Sequence, residues 1–253
     1  MIGISEEYKA MYEVETRLWW YKILHKRVLG VLKTHFSTNT VSILDAGCGT
    51  GGLMSFLQNA GYQNIKGFDL SSDAVAFAQS RSLEVDCLDL LDIQLYKPDQ
   101  QFDLIVCNDV ICYLDDAQII EVFKQFRAKL KPNGLIISNN NALKAFEGLH
   151  SKVLKINRRF NAKELTTLAQ QADFKVEAQV YWPFLLSPLI WIYRKCQLLG
   201  ISLGLINVET AKSDVVLPDD FQNNLFYQLS NFEQTIFKKP PFGSSIFVVM
   251  KPL

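Results

Sequence analysis

Residues 43–52 read Ile-Leu-Asp-Ala-Gly-Cys-Gly-Thr-Gly-Gly, an apolar run broken by an acid and then by glycines at 47, 49, 51 and 52. The run predicts a short buried strand, and the glycines a tight turn that opens a helix. Bare backbone in such a turn can approach a nucleotide-like ligand closely. The spacing Gly47-x-Gly49-x-x-Gly52 also satisfies the dinucleotide fingerprint, so the glycines alone leave the ligand open. Asp45, two residues before the first glycine, bears on the choice. A carboxylate there suits a ligand that presents cationic groups and repels a pyrophosphate. Asp69 lies 22 residues beyond Gly47 at the end of the next strand, where a carboxylate meets ribose hydroxyls in either case.

Strand and helix then alternate. Strands are expected over 41–46, 64–70, 83–88, 102–108, 135–138, 174–181 and 245–251. Phe102–Asn108 is apolar nearly throughout, as a strand buried on both faces must be. Ser71 is placed to cap the helix after the second strand, and Asn161 with Glu164 resembles a capping box. Ile119, Phe123, Phe126 and Leu130 share one helix face, and Pro132-Asn133-Gly134 reads as a turn. Such alternation predicts a parallel sheet with helices on both faces. Two stretches stand outside it. Residues 1–34 form an expected helical lid, and 183–243 an apolar insertion before the last strand at 244–253. Residues 35–182 between them form the core of one domain.

Lys+Arg and Asp+Glu both number 26, so no basic excess points to nucleic acid. The five cysteines contain no C-x-x-C pair, which argues against a disulfide framework or a metal site and fits a reducing cytoplasm. The N-terminus is acidic, without the apolar segment of a signal peptide. Pro183–Tyr193 is too short to span a bilayer and ends at Arg194-Lys195, so membrane contact is expected to be peripheral at most. The expected state is a monomer or homodimer.

On these motifs the chain resembles the class I S-adenosylmethionine-dependent methyltransferases. The first family motif matches Asp45-Ala46-Gly47-Cys48-Gly49-Thr50-Gly51, and the second Gly67-Phe68-Asp69-Leu70-Ser71. The third matches Leu88-Asp89-Leu90-Leu91-Asp92 and the fourth Phe102 to Val110, including Asn108 and Asp109. The resemblance implies a Rossmann-like α/β fold, a seven-stranded mostly parallel sheet with the last strand antiparallel. It implies S-adenosylmethionine as cofactor. Asp69 would hold the ribose hydroxyls, Asp89 and the Leu90 backbone the adenine, and Asn108–Asp109 the methionine end. Asp109 capping the next turn is the alternative. Asp92 and Asp103 are read as solvated.

A narrower resemblance is to a bacterial subgroup acting in surface-polysaccharide, lipid and secondary-metabolite pathways, which opens E-x-x-H-W-W-F-x-x-R. Here Glu15 to Leu24 keep the glutamate and Trp19-Trp20, with Tyr21 next, but carry Leu18 and Leu24 for the histidine and arginine. Later, His150 and Arg158-Arg159 are kept, while Ser151 and Asn157 replace an acid and a second histidine. The resemblance implies a small or lipid-linked acceptor, with O-methylation favoured. A hydroxyl acceptor needs a base. His150 is the candidate, with Tyr113 as an acceptor-positioning group. Trp19, Trp20 and Tyr21 would form an aromatic lid, and Arg158 and Arg159 would bind a phosphate or carboxylate. His25 is read as structural. The apolar stretch 182–206 could line a pocket, a dimer interface or a membrane-facing surface, the pocket or core being favoured. Two other functions stay open: a nicotinamide-dependent oxidoreductase, and a non-catalytic cofactor-binding partner. Methylation of DNA bases is disfavoured, because Asn108 is followed by Asp109-Val110 and not by the Pro-Pro-aromatic run of amino-methylating enzymes.

Overall fold

The computed structural model describes residues 2–156, 158–211 and 215–253. Helices α1 (Ile2–Val14) and α2 (Trp19–His35) precede β1 (Ile43–Ala46). Then follow α3 (Gly52–Asn59), β2 (Ile65–Asp69), α4 (Ser72–Ser80), β3 (Val85–Cys87) and β4 (Phe102–Val106). The second half runs α5 (Asp116–Lys129), β5 (Leu130–Asn141), α6 (Leu149–Val153), α7 (Ala162–Gln171), β6 (Phe174–Trp182), α8 (Ser187–Ser202), α9 (Asp220–Ile236) and β7 (Ser245–Pro252).

The seven strands form one sheet in the order β3-β2-β1-β4-β5-β7-β6. Every pairing from β3 to β5 is parallel, and β7 lies antiparallel between β5 and β6. Strand order reverses between β1 and β4, which opens a crevice at their carboxyl ends. Side chains alternate across the sheet. Leu44, Ile105 and Ile136 meet α5 and α7 through Phe123, Phe126 and Leu168, whereas Ile43, Leu104 and Leu135 meet Ile23, Val28 and Met54 of α2 and α3. Both faces are covered, so the central strands read as unbroken apolar runs.

The helix starts follow local chemistry. The Ser71 hydroxyl accepts from Ala74 N, and Asp115 with Gln118 forms a full capping box on α5. Asn161 caps α7, but only half of the expected box exists there because the Glu164 carboxylate turns to Arg158. Leu18 gives α2 no side-chain cap; Asn223 of α9 takes that place, its Oδ1 accepting from Trp19 N at 2.8 Å. Two other expectations are corrected. Pro132-Asn133-Gly134 falls within β5, where a register shift against β4 absorbs the irregularity and Asn133 takes a positive φ. Asp103 is not merely solvated: it accepts from Ser42 N at 2.8 Å and pairs with Lys131 at 2.8 Å.

The insertion does not bury its apolar side chains as a core would. Leu189, Ile192, Leu199 and Leu203 form an exposed stripe on α8 at spacings of three, four and seven residues. The helix is anchored at its start, where the buried Glu233 accepts from Phe184 N and Leu185 N at 2.8 and 2.9 Å. Re-entry into β7 depends on Gly243, where an added Cβ would lie 2.4 Å from Trp182 N. Gly243→Ala is expected to cost about 1–3 kcal/mol in a urea melt by forcing two backbones apart. Among the described residues no helix is long and apolar enough to cross a membrane, and no group of His, Cys, Asp and Glu could hold a metal ion.

Candidate active site

The glycine turn sits at the carboxyl end of β1, with Gly47, Gly49 and Gly51 at φ of +78°, +54° and +81°. Those angles are strained for any side chain, and a Cβ on Gly47 would lie 2.4 Å from Val110. Gly47 N and Cys48 N donate to Phe68 O at 2.8 and 3.0 Å, tying the turn to β2. Asp69, at the end of β2, accepts from Gly49 N at 2.8 Å and Ser71 N at 2.9 Å. Asp45 is buried directly beneath the turn.

The charge balance here is one-sided. Burial, with Asp69 and Glu15 nearby, pushes the Asp45 carboxyl up to about 8. Asp69 is also held up by burial, against the donations from Ser71 and Gly49. Glu15 is raised by burial too, although it bonds Thr50 and pairs with Arg81 at 2.7 Å. Three buried acids stand together and only Glu15 has an arginine partner, so the site lacks positive charge and gains from a cationic ligand.

Glu15 decides between the two cofactor classes the glycines allowed. Its carboxylate accepts from Gly52 N at 3.2 Å and from the Thr50 hydroxyl, so it occupies the N-terminus of α3. In a dinucleotide fold the pyrophosphate occupies that helix end. A pyrophosphate placed here would meet Glu15 above and Asp45 below. The residues present fit S-adenosylmethionine instead, since its sulfonium and ammonium suit these acids and its ribose suits Asp69.

Further along the sheet edge, Asp89 accepts from Leu91 N at 3.0 Å with one oxygen, while Leu90 is buried. Leu70 is 67% exposed, an apolar side chain left uncovered beside Asp69. At the end of β4, Asp109 takes a positive φ of 58° and is held by the end of β5. Asn139 Nδ2 donates to Asp109 at 2.9 Å, and Asn139 N donates to Asn108 Oδ1 at 3.0 Å. These bonds replace the turn-capping alternative for Asp109. Burial pushes its carboxyl up to about 7 despite the Asn139 donation. Cys48 lines the turn half-buried, its thiol raised by burial and by Asp45.

The lid residues divide. Trp19 packs edge-on against Phe226 of α9 and is core. Trp20 stacks on Trp182 with centroids 5.3 Å apart, and Trp182 Nε1 donates to Asn139 Oδ1 at 2.8 Å, so this pair braces the group that holds Asp109. Tyr21 is half-buried near Glu15 and Asp109. Buried His25 sits between Tyr21 and Phe56, its basicity lowered by burial to about 3, as a structural histidine requires.

Tyr113 is 44% exposed and within electrostatic reach of Asp109 and Tyr8. His150 lies on α6, next to Ser151, which binds Arg159. The two arginines separate sharply. Arg158 pairs with Asp116 and Glu164, whereas Arg159 is buried behind β5 and bonds Ala142 O and Ser151. Asn157 lies outside the described residues.

Sequence reasoning passed over Glu15, Asn139, Trp182 and Tyr8. Tyr8 of α1 hydrogen-bonds Asp69, and Met11 reaches Gly49. The three asparagines 139–141 were a visible signal, because polar residues inside a buried strand need partners.

A family model for a methyltransferase domain matches residues 21–179, which include the turn, Asp69, Asp89, Asp109 and Asn139. The chain belongs to that family. Phosphoethanolamine N-methyltransferase 1 of Zea mays is 33% identical over 100 residues, 38% of this chain and 19% of that protein. Ubiquinone biosynthesis O-methyltransferase of Rickettsia bellii is 28% identical over 162 residues, 57% of this chain and 66% of the relative. The matches thus span a fifth to two thirds of these relatives' lengths. A methyltransferase structure from Clostridium acetobutylicum shares the fold at a TM-score of 0.55 and 14% identity, covering 92% of both chains. The family match agrees with the class I arrangement of the sheet.

Proposed function

We propose that this chain transfers the methyl group of S-adenosylmethionine to a small or lipid-linked acceptor, with oxygen the favoured atom. The observation that carries the reading is the cluster of buried carboxylates Asp45, Asp69 and Glu15 around the glycine turn, with Glu15 closing the helix end to a pyrophosphate. Two relatives of this chain are named for O- and N-methyl transfer, which fits methyl transfer without fixing the atom.

When bound, the cofactor supplies a methyl group on a good leaving group, so the protein's task is alignment and exclusion of water. Asp69 would hold the ribose, Asp89 and the Leu90 backbone the adenine edge, with Leu70 against its face. Asp45 and the turn would meet the amino-acid end. Asp109, braced by Asn139 and held near 7, can take a proton from a hydroxyl acceptor at neutral pH, which supports oxygen as the atom. Tyr113 beside it would position that hydroxyl, and His150 would stand farther out on the acceptor side. A lipid-linked acceptor is supported by the exposed stripe on α8. No carboxylate occurs from Ala178 to Val208, where the only charges are Arg194 and Lys195.

Calorimetric titration with S-adenosylmethionine and with NAD tests the cofactor. Heat of binding from NAD alone would end the proposal. Incubation of cofactor carrying a labelled methyl group with fractionated small-molecule and lipid extracts tests the activity. Transfer to an acceptor above the protein-free blank is expected, and binding without any turnover would favour the non-catalytic partner.

Tyr8 gives a further expected result. Its hydroxyl occupies Asp69, the group assigned to the ribose. Tyr8→Phe should tighten cofactor binding about tenfold, the worth of one hydrogen bond to a carboxylate at the low end of its range. An unchanged or weakened Kd would show that Tyr8 belongs to the bound state.

A further inference from the structure

Arg159 is a buried cation, 7% exposed, with no directly paired carboxylate among the described residues. Its guanidinium donates only to neutral oxygens, Ala142 O at 3.1 Å and Ser151 Oγ at 2.8 Å. Its Nε is buried and has no hydrogen-bond partner among the described residues. Arginine is rarely buried unless paired, because the lost hydration must be replaced. The charges around it are mixed: a second guanidinium, Arg194, fixed by its donation to Phe146 O at 2.8 Å, opposes it, while Glu147 and Asp109 lie within electrostatic reach without forming an ion pair with it.

The surroundings have the shape of a subsite. Arg159 lines a cavity of about 440 Å³ with Leu143, Lys144, Phe160 and Asn161, while Arg158 and Glu164 close one side as an ion pair. That volume is within the range of small-molecule pockets. Ala142, which accepts from Arg159, directly follows the asparagines that hold Asp109, so the cavity flanks the proposed site of transfer. Arg158 is already satisfied by two carboxylates. Arg159 and exposed Lys144 are the cations left to meet a ligand.

Resting on the methyltransferase reading above, we infer that Arg159 and Lys144 form a subsite for an anionic group, a phosphate or a carboxylate, carried by the methyl acceptor. The buried arginine supplies directional donors for two oxygens, and the exposed lysine closes on the group from the rim. An anionic ligand would give the guanidinium the directly paired counter-charge that no described carboxylate supplies.

The test is titration of the full chain with inorganic phosphate and, separately, with malonate, followed by thermal melting in constant ionic strength set with chloride. One or both anions should raise Tm in a saturable way, and the arm that does so names the source chemistry. Arg159→Gln should weaken that anion at least tenfold. Lys144→Gln, at an exposed position that does not threaten folding, should weaken it severalfold. Lys144→Gln should leave the Kd for S-adenosylmethionine unchanged. Once an acceptor is known, Lys144→Gln should raise KM and spare kcat. Equal anion responses in all three proteins, or none in the wild type, would overturn the subsite. Anion binding without cofactor binding would overturn the methyltransferase reading and leave the subsite standing.

Discussion

Replacing Asp45 with asparagine will stabilise the ligand-free chain at pH 8 and weaken its affinity for S-adenosylmethionine at least tenfold. Both effects have one cause. The carboxyl is buried with Asp69 and Glu15 nearby, and its folded value is pushed up to about 8, whereas an unfolded aspartate titrates near 3.9. Its contribution is therefore complete below pH ~4 and is lost as pH rises toward 8, by roughly 1.4 kcal/mol per pH unit, because the unfolded chain sheds the proton first. Asp109 acts in the same direction up to about 7. His25 opposes them: its folded value is lowered to about 3, so stability is gained as pH rises from there to its unfolded value near 6.5. The carboxylates act unopposed between about pH 6.5 and 8, and there the melting temperature of the ligand-free protein should fall most clearly. Asparagine keeps the shape and removes the titration, so the slope in this window should flatten.

Cofactor binding should run the other way. A ligand carrying a sulfonium and an ammonium favours the ionised carboxylates, so binding releases protons and tightens from pH 6 to 8. Calorimetry in two buffers of different ionisation enthalpy measures that release directly. Asp45→Asn should lose the larger part of it. An unchanged Kd, or no proton release in the wild type, would show that the acids beneath the turn do not face the cofactor's cations.

The parts of the site that were legible in the sequence are those governed by local rules. The glycine turn, the acids at strand ends and the caps at Ser71 and Asn161 depend on residues close in sequence, and each lies where local spacing predicts. The mostly parallel sheet followed from the alternation, and its antiparallel last strand from the family resemblance. What stayed hidden depends on contacts between distant segments. Arg158 and Arg159 are adjacent and chemically identical, yet one is consumed by Asp116 and Glu164 while the other is buried without a carboxylate; no local pattern separates them. The stripe on α8 has the periodicity of a buried helix face, yet the fold leaves it exposed. Pro132–Gly134 has turn composition, but pairing of β5 with its neighbours draws it into the strand.

Glu15→Ala should be the most damaging change to this fold, at about 3–5 kcal/mol, and should weaken cofactor binding with it. Glu15 is 3% exposed and joins three elements. It bonds the Thr50 hydroxyl in the glycine turn, accepts from Gly52 N at the start of α3, and pairs with Arg81 beyond the end of α4 at 2.7 Å. Removing one partner of a buried pair strands the other, and Arg81 is itself mostly buried. The helix end loses its anion as well. Gln in place of Glu keeps most of the hydrogen bonds and removes the charge, so Glu15→Gln should cost less than half as much in a urea melt. The comparison separates two roles. If Glu15 only holds the turn, Glu15→Gln should bind S-adenosylmethionine nearly as the wild type does. If its charge also excludes pyrophosphate from the helix end, the same variant should gain measurable NAD binding that the wild type lacks. The geometry supports the second outcome, because the carboxylate stands on the N–H group that a pyrophosphate would need. One residue in the connection from α1 to α2 would then both brace the glycine turn and select between the two cofactors its spacing allows.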